Sequence, residues 1–352
     1  MKLSQFVFAS IVGILSIVAN AQSSTPKMKA IIVDEYGGPD VLKLEEVPRP
    51  EPKDDQILVR VIAAGVNPVD AAARSEKYAK FFGIVLPFVP GYDIAGIVEK
   101  TGANIKKFKT GDSVYAYIGL GEGGGYAEYA VVTEVEAAPK PKSLNYIEAA
   151  AVPVVALTAW QALIDTAKLS AGQTVLIHGG SGGVGTFAIQ IAKARGAKVI
   201  ATASTANQDL LKKLGADVAI DYTKTRFEDV AKDVDVVLDS VGKDTLARSY
   251  GVVKEGGFIV TLVAQIDQAE LDKHKIRGAS LSVEPNPDEL AKIGRLIDEK
   301  KIKVIVSQTF PLSEAMKARN KSRLATRVAK LFSKLLTNPS SGQRFIRGIT
   351  QR

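Results

Sequence analysis

No cysteine occurs among the 352 residues, and histidine occurs twice, as His178 and His274. The first absence removes disulfides, thiol nucleophiles, thiolate metal sites and a lipid-modified cysteine anchor together. The second leaves no imidazoles close in sequence, so a zinc site of the usual nitrogen and sulfur ligands is not expected. Acidic residues stop at Glu314; beyond it Lys317, Arg319, Lys321, Arg323, Arg327, Lys330, Lys334, Arg344, Arg347 and Arg352 add ten positive charges. The whole chain carries a net charge of +8, so the body is near neutral and only the tail is basic. That tail interleaves no Tyr or Trp for base stacking, and no nucleic-acid partner is expected. Long apolar runs are lacking too, apart from Phe6–Ala19 behind Lys2. This run is shorter than the roughly 20 residues that span a bilayer, and Ala19-Asn20-Ala21 has the small residues of a cleavage site. The pattern predicts a signal peptide over 1–21 and a periplasmic or secreted protein. An uncleaved membrane anchor is the other reading, and the protein is cytoplasmic if the segment does not function.

What is present reads as two architectures in one chain. From Lys29 to about Ala138, short β-rich runs are broken by Gly and Pro, as in AIIVDEY, QILVRVIAAGV and DIAGIVEKTG. Such spacing predicts a rolled antiparallel barrel. After Asn145 comes a helical stretch interrupted by Pro153, then strands and helices alternate: TVLIHG, a helix from about Val184 to Arg195, AKVIATAS, DVAIDY, VDVVLDSV and GGFIVTLVA. Continuous apolar strands with helical crossovers predict a parallel sheet covered on both faces. A third section from about Ser280 reads as SLSVEP, the helix PDELAKIGRLIDEKK, the strand KVIVSQTF and a last helical region.

The chemistry is carried by Gly180-Ser181-Gly182-Gly183-Val184-Gly185, which fits GxGxxG between the strand ending at Gly179 and the following helix. Gly180 is expected to allow the tight turn and Gly182 a close approach of backbone to a pyrophosphate. Gly185 is expected to let helix and strand pack closely. The first N–H groups of the helix then form an anion site without a basic side chain. An acid about 20 residues on selects NAD by holding the ribose 2′-hydroxyl and repelling a 2′-phosphate. Here the next strand ends at Ser204-Thr205 with no acid, and Asp209 comes later. The reading is NADPH.

At these residues the chain resembles the quinone oxidoreductase (zeta-crystallin-like) branch of the zinc-free medium-chain dehydrogenases/reductases. Besides Gly172–Lys193, the resemblance lies in AAGVNPVD (63–70), PFVPGYDIAGIVEKTG (87–102), TGDSVYAY (110–117) and GGGYAEYAVV (123–132). It continues through AAAVPVVALTAWQAL (149–163), LGADVAIDY (214–222), VDVVLDSVG (234–242) and FPLSEA (310–315), covering roughly 29–317. It implies an α/β fold, a doubly wound Rossmann sheet plus a GroES-like barrel, with the active site between them. The division it suggests is a barrel part over 28–152, the cofactor domain over 153–283, a return to the barrel over 284–318 and a basic tail over 319–352. Zinc-dependent relatives carry a cysteine, then Gly-His-Glu, where this chain has Asn67 and Gly91-Tyr92-Asp93. No metal is therefore expected, and the resemblance implies hydride transfer from NADPH to a quinone or an α,β-unsaturated carbonyl.

By resemblance, Asn67, Asp70 and Tyr78 are the candidate catalytic or substrate residues. Asn67 and Asp70 read equally well as a turn former and a helix cap. The cofactor set is Thr158, Gly180, Ser181, Gly182, Gly183, Val184, Gly185, Ser204, Tyr222, Val241 and Gly242. Many members add a lysine after the second strand; here the text is Ala206-Asn207-Gln208, with Lys212 or Lys213 as substitutes. His178 reads as a strand-end residue and His274 as solvent-facing. A homodimer is expected by resemblance. Two features pull another way. The tail lacks the family's closing strand, and Leu324, Val328, Leu331 and Leu335 share one face of an expected basic helix that could touch a membrane or a partner. The duller reading is a diverged C-terminus that leaves the barrel short of an edge strand. Export, for its part, would take the chain where NADPH is scarce. A nucleotide-binding or moonlighting exported protein without turnover is thus the alternative to an enzyme.

Overall fold

The computed structural model describes residues 25–317 and the backbone of 330–333. The expected signal segment and the rest of the tail lie outside these residues. Along the chain, β1 (Lys27–Ile32) pairs with β2 (Lys43–Pro48), and β3 (Gln56–Val66) runs into the short helices α1 (Pro68–Ala72) and α2 (Glu76–Phe82). Next come β4 (Asp93–Thr101), β5 (Ser113–Tyr117), β6 (Tyr129–Thr133) and β7 (Ala137–Pro139). These pair antiparallel as β3–β4, β4–β5, β5–β7 and β3–β6. β3 is buried along most of its eleven residues because its two faces are covered by different neighbours. Apart from Gln56 and Arg60 it is therefore continuously apolar rather than alternating.

The chain then passes through α3 (Tyr146–Ala149) to α4 (Pro153–Trp160), which widens into a π-helical turn at Gln161–Thr166. Pro153 starts α4 rather than breaking it, since a first-turn residue needs no N–H partner. The alternating part follows as β8 (Thr174–Ile177), α5 (Gly183–Ala194), β9 (Lys198–Ala203), α6 (Gln208–Lys213), β10 (Val218–Asp221) and β11 (Val234–Asp239). It ends with α7 (Lys243–Ser249), β12 (Val253–Thr261), α8 (Gln268–His274) and β13 (Arg277–Ser280). All pairs are parallel, in the order β10-β9-β8-β11-β12-β13. Chain order reverses between β8 and β11, and in such sheets a ligand binds beyond the strand ends at that reversal. The expected helix between β10 and β11 is only a 3-10 turn at Phe227–Asp229.

The chain returns through α9 (Pro287–Asp298) and β14 (Gln308–Phe310). The Tyr115 hydroxyl of β5 donates to the Leu290 carbonyl of α9 at 2.6 Å, which ties the return segment to the barrel. One expected strand shrinks: of KVIVSQTF only the last three residues pair. The tail brings a correction. Lys330–Ser333 forms a strand, β15, parallel to β14 and antiparallel to Ala63–Val66 of β3, where a helical face through Leu331 was expected. The reason lies in β3, whose edge is paired by β6 only over Gln56–Arg60. Ala63–Val66 on the same edge still carries unpaired backbone groups, and a tail segment that pairs with them overrides local helical periodicity. The barrel thereby has the edge strand it was expected to lack; Leu324, Val328 and Leu335 lie outside the described residues.

Candidate active site

The cofactor side of the site is built almost entirely of backbone. His178 ends β8, and Gly179 makes the turn with φ +71, a left-handed conformation that only glycine adopts without strain. The turn was expected at Gly180. Gly180 instead lies where a Cβ would meet Leu211, Ala201 and Ile189 side chains at 2.9–3.3 Å, so it is small for packing. Gly182 caps α5 without a side chain, and a Cβ on Gly185 would lie 2.3 Å from the Gly179 oxygen. The helix thus starts directly against its strand, and the N–H groups of Gly183, Val184 and Gly185 begin a 12-residue helix with a positive end. Ser181, within the same loop, is buried.

Side chains brace this loop from below. The Gly179 N–H donates to Thr202 Oγ1 at 3.3 Å, and Thr202 Oγ1 lies 3.2 Å from His178 Nδ1. His178 Nε2 lies 3.0 Å from Ser249 Oγ, which itself donates to the Thr245 carbonyl at 2.6 Å. These roles place the imidazole proton on Nε2. Burial pushes the His178 pKa down to about 4, so the ring is a neutral linker between β8, β9 and α7 rather than an acid or base. Across the reversal point, Asp239 was not singled out from sequence. Its fully buried carboxylate accepts from the N–H groups of Val241 and Gly242 at 3.0 and 2.9 Å and from Thr261 Oγ1 at 2.9 Å. This acid folds the Val241–Gly242 turn, and Ser240 Oγ donates to the His178 carbonyl at 2.8 Å, joining that turn to the glycine loop.

At the same carboxyl end of the sheet, Ser204 follows β9 and Tyr222 follows β10, and the Tyr222 N–H donates to the Ala203 carbonyl at 3.2 Å. Ser204 Oγ accepts from Asn207 Nδ2 at 3.1 Å, and Tyr222 is exposed. The nearest acid, Asp221, is on β10 and is engaged by the hydroxyls of Thr205 and Thr223 at 2.6 and 2.7 Å, which hold its carboxyl below the usual range. A loop of amide donors, an end of β9 without an acid and two hydroxyl-bearing strand ends form a donor set that fits a dinucleotide carrying a 2′-phosphate.

The barrel side is built of side chains. Asn67 caps α1, with its N–H donating to Asp70 Oδ2 at 2.5 Å as part of a capping box. Asp70 Oδ2 also accepts from the Tyr126 hydroxyl at 2.9 Å. Asn67 Nδ2 donates to Asp93 Oδ2 at 2.7 Å, and Asp93 Oδ1 accepts from the Val154 N–H at 2.8 Å, in the first turn of α4. Thr158 is one turn further along α4, its Oγ1 donating to the Val154 carbonyl at 2.7 Å. Asn67, Asp70 and Thr158 are thus brought together through Asp93, which the sequence marks only as standing where zinc-dependent relatives carry the glutamate of Gly-His-Glu. Tyr78 is not part of this set; it is 49% exposed on α2 with its ring stacked on Phe82.

Relatives now enter on this geometry. Residues 53–142 match the family model described as "Alcohol dehydrogenase GroES-like domain", and residues 214–331 the one described as "Zinc-binding dehydrogenase". The second description implies zinc, and the residues do not fit it. Asn67 points an N–H donor at Asp93, and among the described residues no group of three His, Cys, Asp or Glu could hold a metal. No step below is routed through a metal. The chain is 42% identical to the Arabidopsis thaliana "NADPH-dependent alkenal/one oxidoreductase, chloroplastic" over 92% of this chain and 80% of that protein. It is 36% identical to the Mus musculus "Quinone oxidoreductase" over 83% of this chain and 92% of the relative. The solved quinone oxidoreductase of Coxiella burnetii superposes with a TM-score of 0.82 at 36% identity, over 88% of this chain and 100% of that one. The chain belongs to the quinone oxidoreductase branch of the medium-chain dehydrogenase/reductase superfamily.

Proposed function

We propose that the protein is an NADPH-dependent oxidoreductase that reduces a quinone or an α,β-unsaturated carbonyl. The observation that carries this is the backbone-built loop at the reversal point of the sheet, beside a β9 that ends in Ser204-Thr205 with no acid of its own. When bound, the dinucleotide supplies the hydride. The chain's own task is to bind, orient and exclude water. The N–H groups of Gly183, Val184 and Gly185 hold the pyrophosphate, and Ser204 and Tyr222 receive the 2′-phosphate. Thr158, Val241 and Gly242 flank the nicotinamide, with the turn at 241–242 fixed by Asp239. Asn67 stands on the opposite wall, where polar donors can stabilise the oxyanion that develops on an enone or quinone oxygen as hydride is added. Such acceptors are electron-poor, so positioning and oxyanion stabilisation suffice for the addition.

The test is NADPH oxidation with a short 2-alkenal and with a small quinone, repeated with NADH. Turnover with either acceptor and a clear preference for NADPH is expected. Measurable NADPH binding without oxidation by either acceptor would sink the enzyme reading in favour of a binding protein. We further propose a homodimer: β13 ends the parallel sheet with an edge that has no partner strand among the described residues. Light scattering that returns a monomer mass disproves it. Export rests on the segment Lys2–Ala21, and an intact N-terminus on protein recovered only from the cytoplasm would refute it.

A further inference from the structure

Asp93 ties the barrel wall of the cleft to the first turn of α4 on the cofactor wall. It begins β4 in the barrel, is 1% exposed, and makes one hydrogen bond to each side: Oδ2 with Asn67 Nδ2 and Oδ1 with the Val154 N–H. The space it occupies is made by an absence. A Cβ on Gly65 of β3 would lie 2.6 Å from the Ala150 carbonyl oxygen, 2.7 Å from Asp93 Cβ and 2.9 Å from its Oδ2, so glycine there leaves room both for that backbone and for the carboxyl. Both partners donate, and a carboxyl offers each of them an acceptor oxygen without turning an NH2 group toward Asn67. Through Val154 the contact reaches further. The Val154 carbonyl takes the Thr158 hydroxyl, and the next residue, Val155, packs so closely on Gly183 that a Cβ there would lie 2.9 Å from its Cγ1. One carboxyl therefore fixes the Asn67 amide, the α4 turn that carries Thr158, and through Val155 the start of α5.

We infer that Asp93 is a positioning residue for hydride transfer: it holds the Asn67 amide in one orientation and at one separation from the cofactor wall. This rests on the function proposed above. Oxyanion stabilisation and hydride addition both depend on sub-ångström placement, so losing the tie costs turnover more than it costs cofactor binding. Thr158 and the glycine loop keep their own backbone contacts in its absence.

The experiment is Asp93→Asn in the full chain. Asparagine keeps the size and one acceptor oxygen for Val154, but it turns an NH2 group toward the Asn67 NH2, donor against donor. The expected result is a kcat for the acceptor lowered at least about tenfold, with the Kd for NADPH, read by its fluorescence, within about threefold. Overturning results are a folded D93N with kcat within about twofold of the parent, or one whose NADPH affinity falls in step with kcat. If D93N does not fold, Asp93→Glu keeps both acceptor oxygens but moves them by one methylene and is judged by the same split. Loss of folding in both assigns Asp93 to stability alone and overturns the inference. An inactive parent chain defeats the proposed function instead, so the two failures are distinguishable.

Discussion

The two walls of the cleft do their work with different materials. The cofactor wall is backbone: four glycines between Gly179 and Gly183, and Gly185, create a loop by what they lack, and the donors are main-chain N–H groups. The barrel wall is a chain of buried side chains, Tyr126–Asp70–Asn67–Asp93, contributed by three separate stretches of sequence and tied by Asp93 to the first turn of α4 on the other wall. A wall made of absences tolerates almost no added atom, whereas a wall made of hydrogen bonds is sensitive to donor and acceptor identity at constant size.

The sharpest way to break this contrast is to add volume on the cofactor wall. Gly185→Val places atoms where even a Cβ would lie 2.3 Å from the Gly179 oxygen and 2.6 Å from Gly180 Cα, both backbone. Overpacking of about 1–3 kcal/mol, concentrated at the binding turn, is expected to weaken NADPH binding by roughly tenfold to a hundredfold. Titration of cofactor fluorescence reads this, and unchanged affinity would show that the loop does not need its close start. Next in size, Asp239→Ala leaves the Val241 and Gly242 N–H groups and the Thr261 hydroxyl without their acceptor. A loss of about 1–3 kcal/mol in denaturant unfolding is expected, with a raised KM for NADPH and little change in kcat at saturating NADPH.

A subtler comparison uses pH. Each wall contains a buried titratable group, and their slopes oppose. His178 has its pKa lowered to about 4, so its contribution to stability is present above the ordinary histidine range and is lost as pH falls from about 6.5 toward 4. Asp93 has its carboxyl pushed up to about 8, chiefly by burial and further by Asp70, against hydrogen bonds from Asn67 and Val154 that lower it. The phenols of Tyr92 and Tyr117 are the other buried titratable groups nearby, both pushed up by burial. The folded state then binds a proton that the unfolded chain has released, so stability attributable to Asp93 falls as pH rises from about 4 to about 8. Over pH 4–6.5 the two slopes cancel; between 6.5 and 8 Asp93 acts alone. Unfolding free energies of His178→Gln and Asp93→Asn across this range should therefore diverge from the parent in opposite directions. Parallel curves would contradict the assignment. The smallest effect is expected at Tyr78→Ala, half-exposed and outside the hydrogen-bonded set: less than about threefold in kcat/KM. A larger loss would bring Tyr78 into the site.

The same division explains what could be read in advance. The glycine spacing, the acid-free end of β9 and the alternation of strands and helices are local patterns, so the parallel sheet and its loop were legible. Gly179 was mistaken for a strand residue because a positive φ has no sequence signature when two glycines are adjacent. The anchoring roles of Asp93 and Asp239 are not legible in sequence, because each looks like an ordinary strand-end acid until its partners, 26 and 61 residues away for Asp93, are seen around it. Likewise the tail read as a helix because its apolar spacing permits one. What selects β15 is the unfilled edge of β3 at Ala63–Val66, a long-range vacancy that no window of the tail contains.

By itself, then, the sequence determined the doubly wound sheet, the anion-binding loop and the absence of thiolate chemistry, since each depends on residues within one turn or one strand of each other. Tertiary structure alone decided which carboxyls became structural anchors. It also decided that one of them spans the cleft and that a tail segment closes the barrel. Those outcomes depend on which backbone donors and open edges meet in space, and loop closure over tens of residues leaves no periodic trace in the chain.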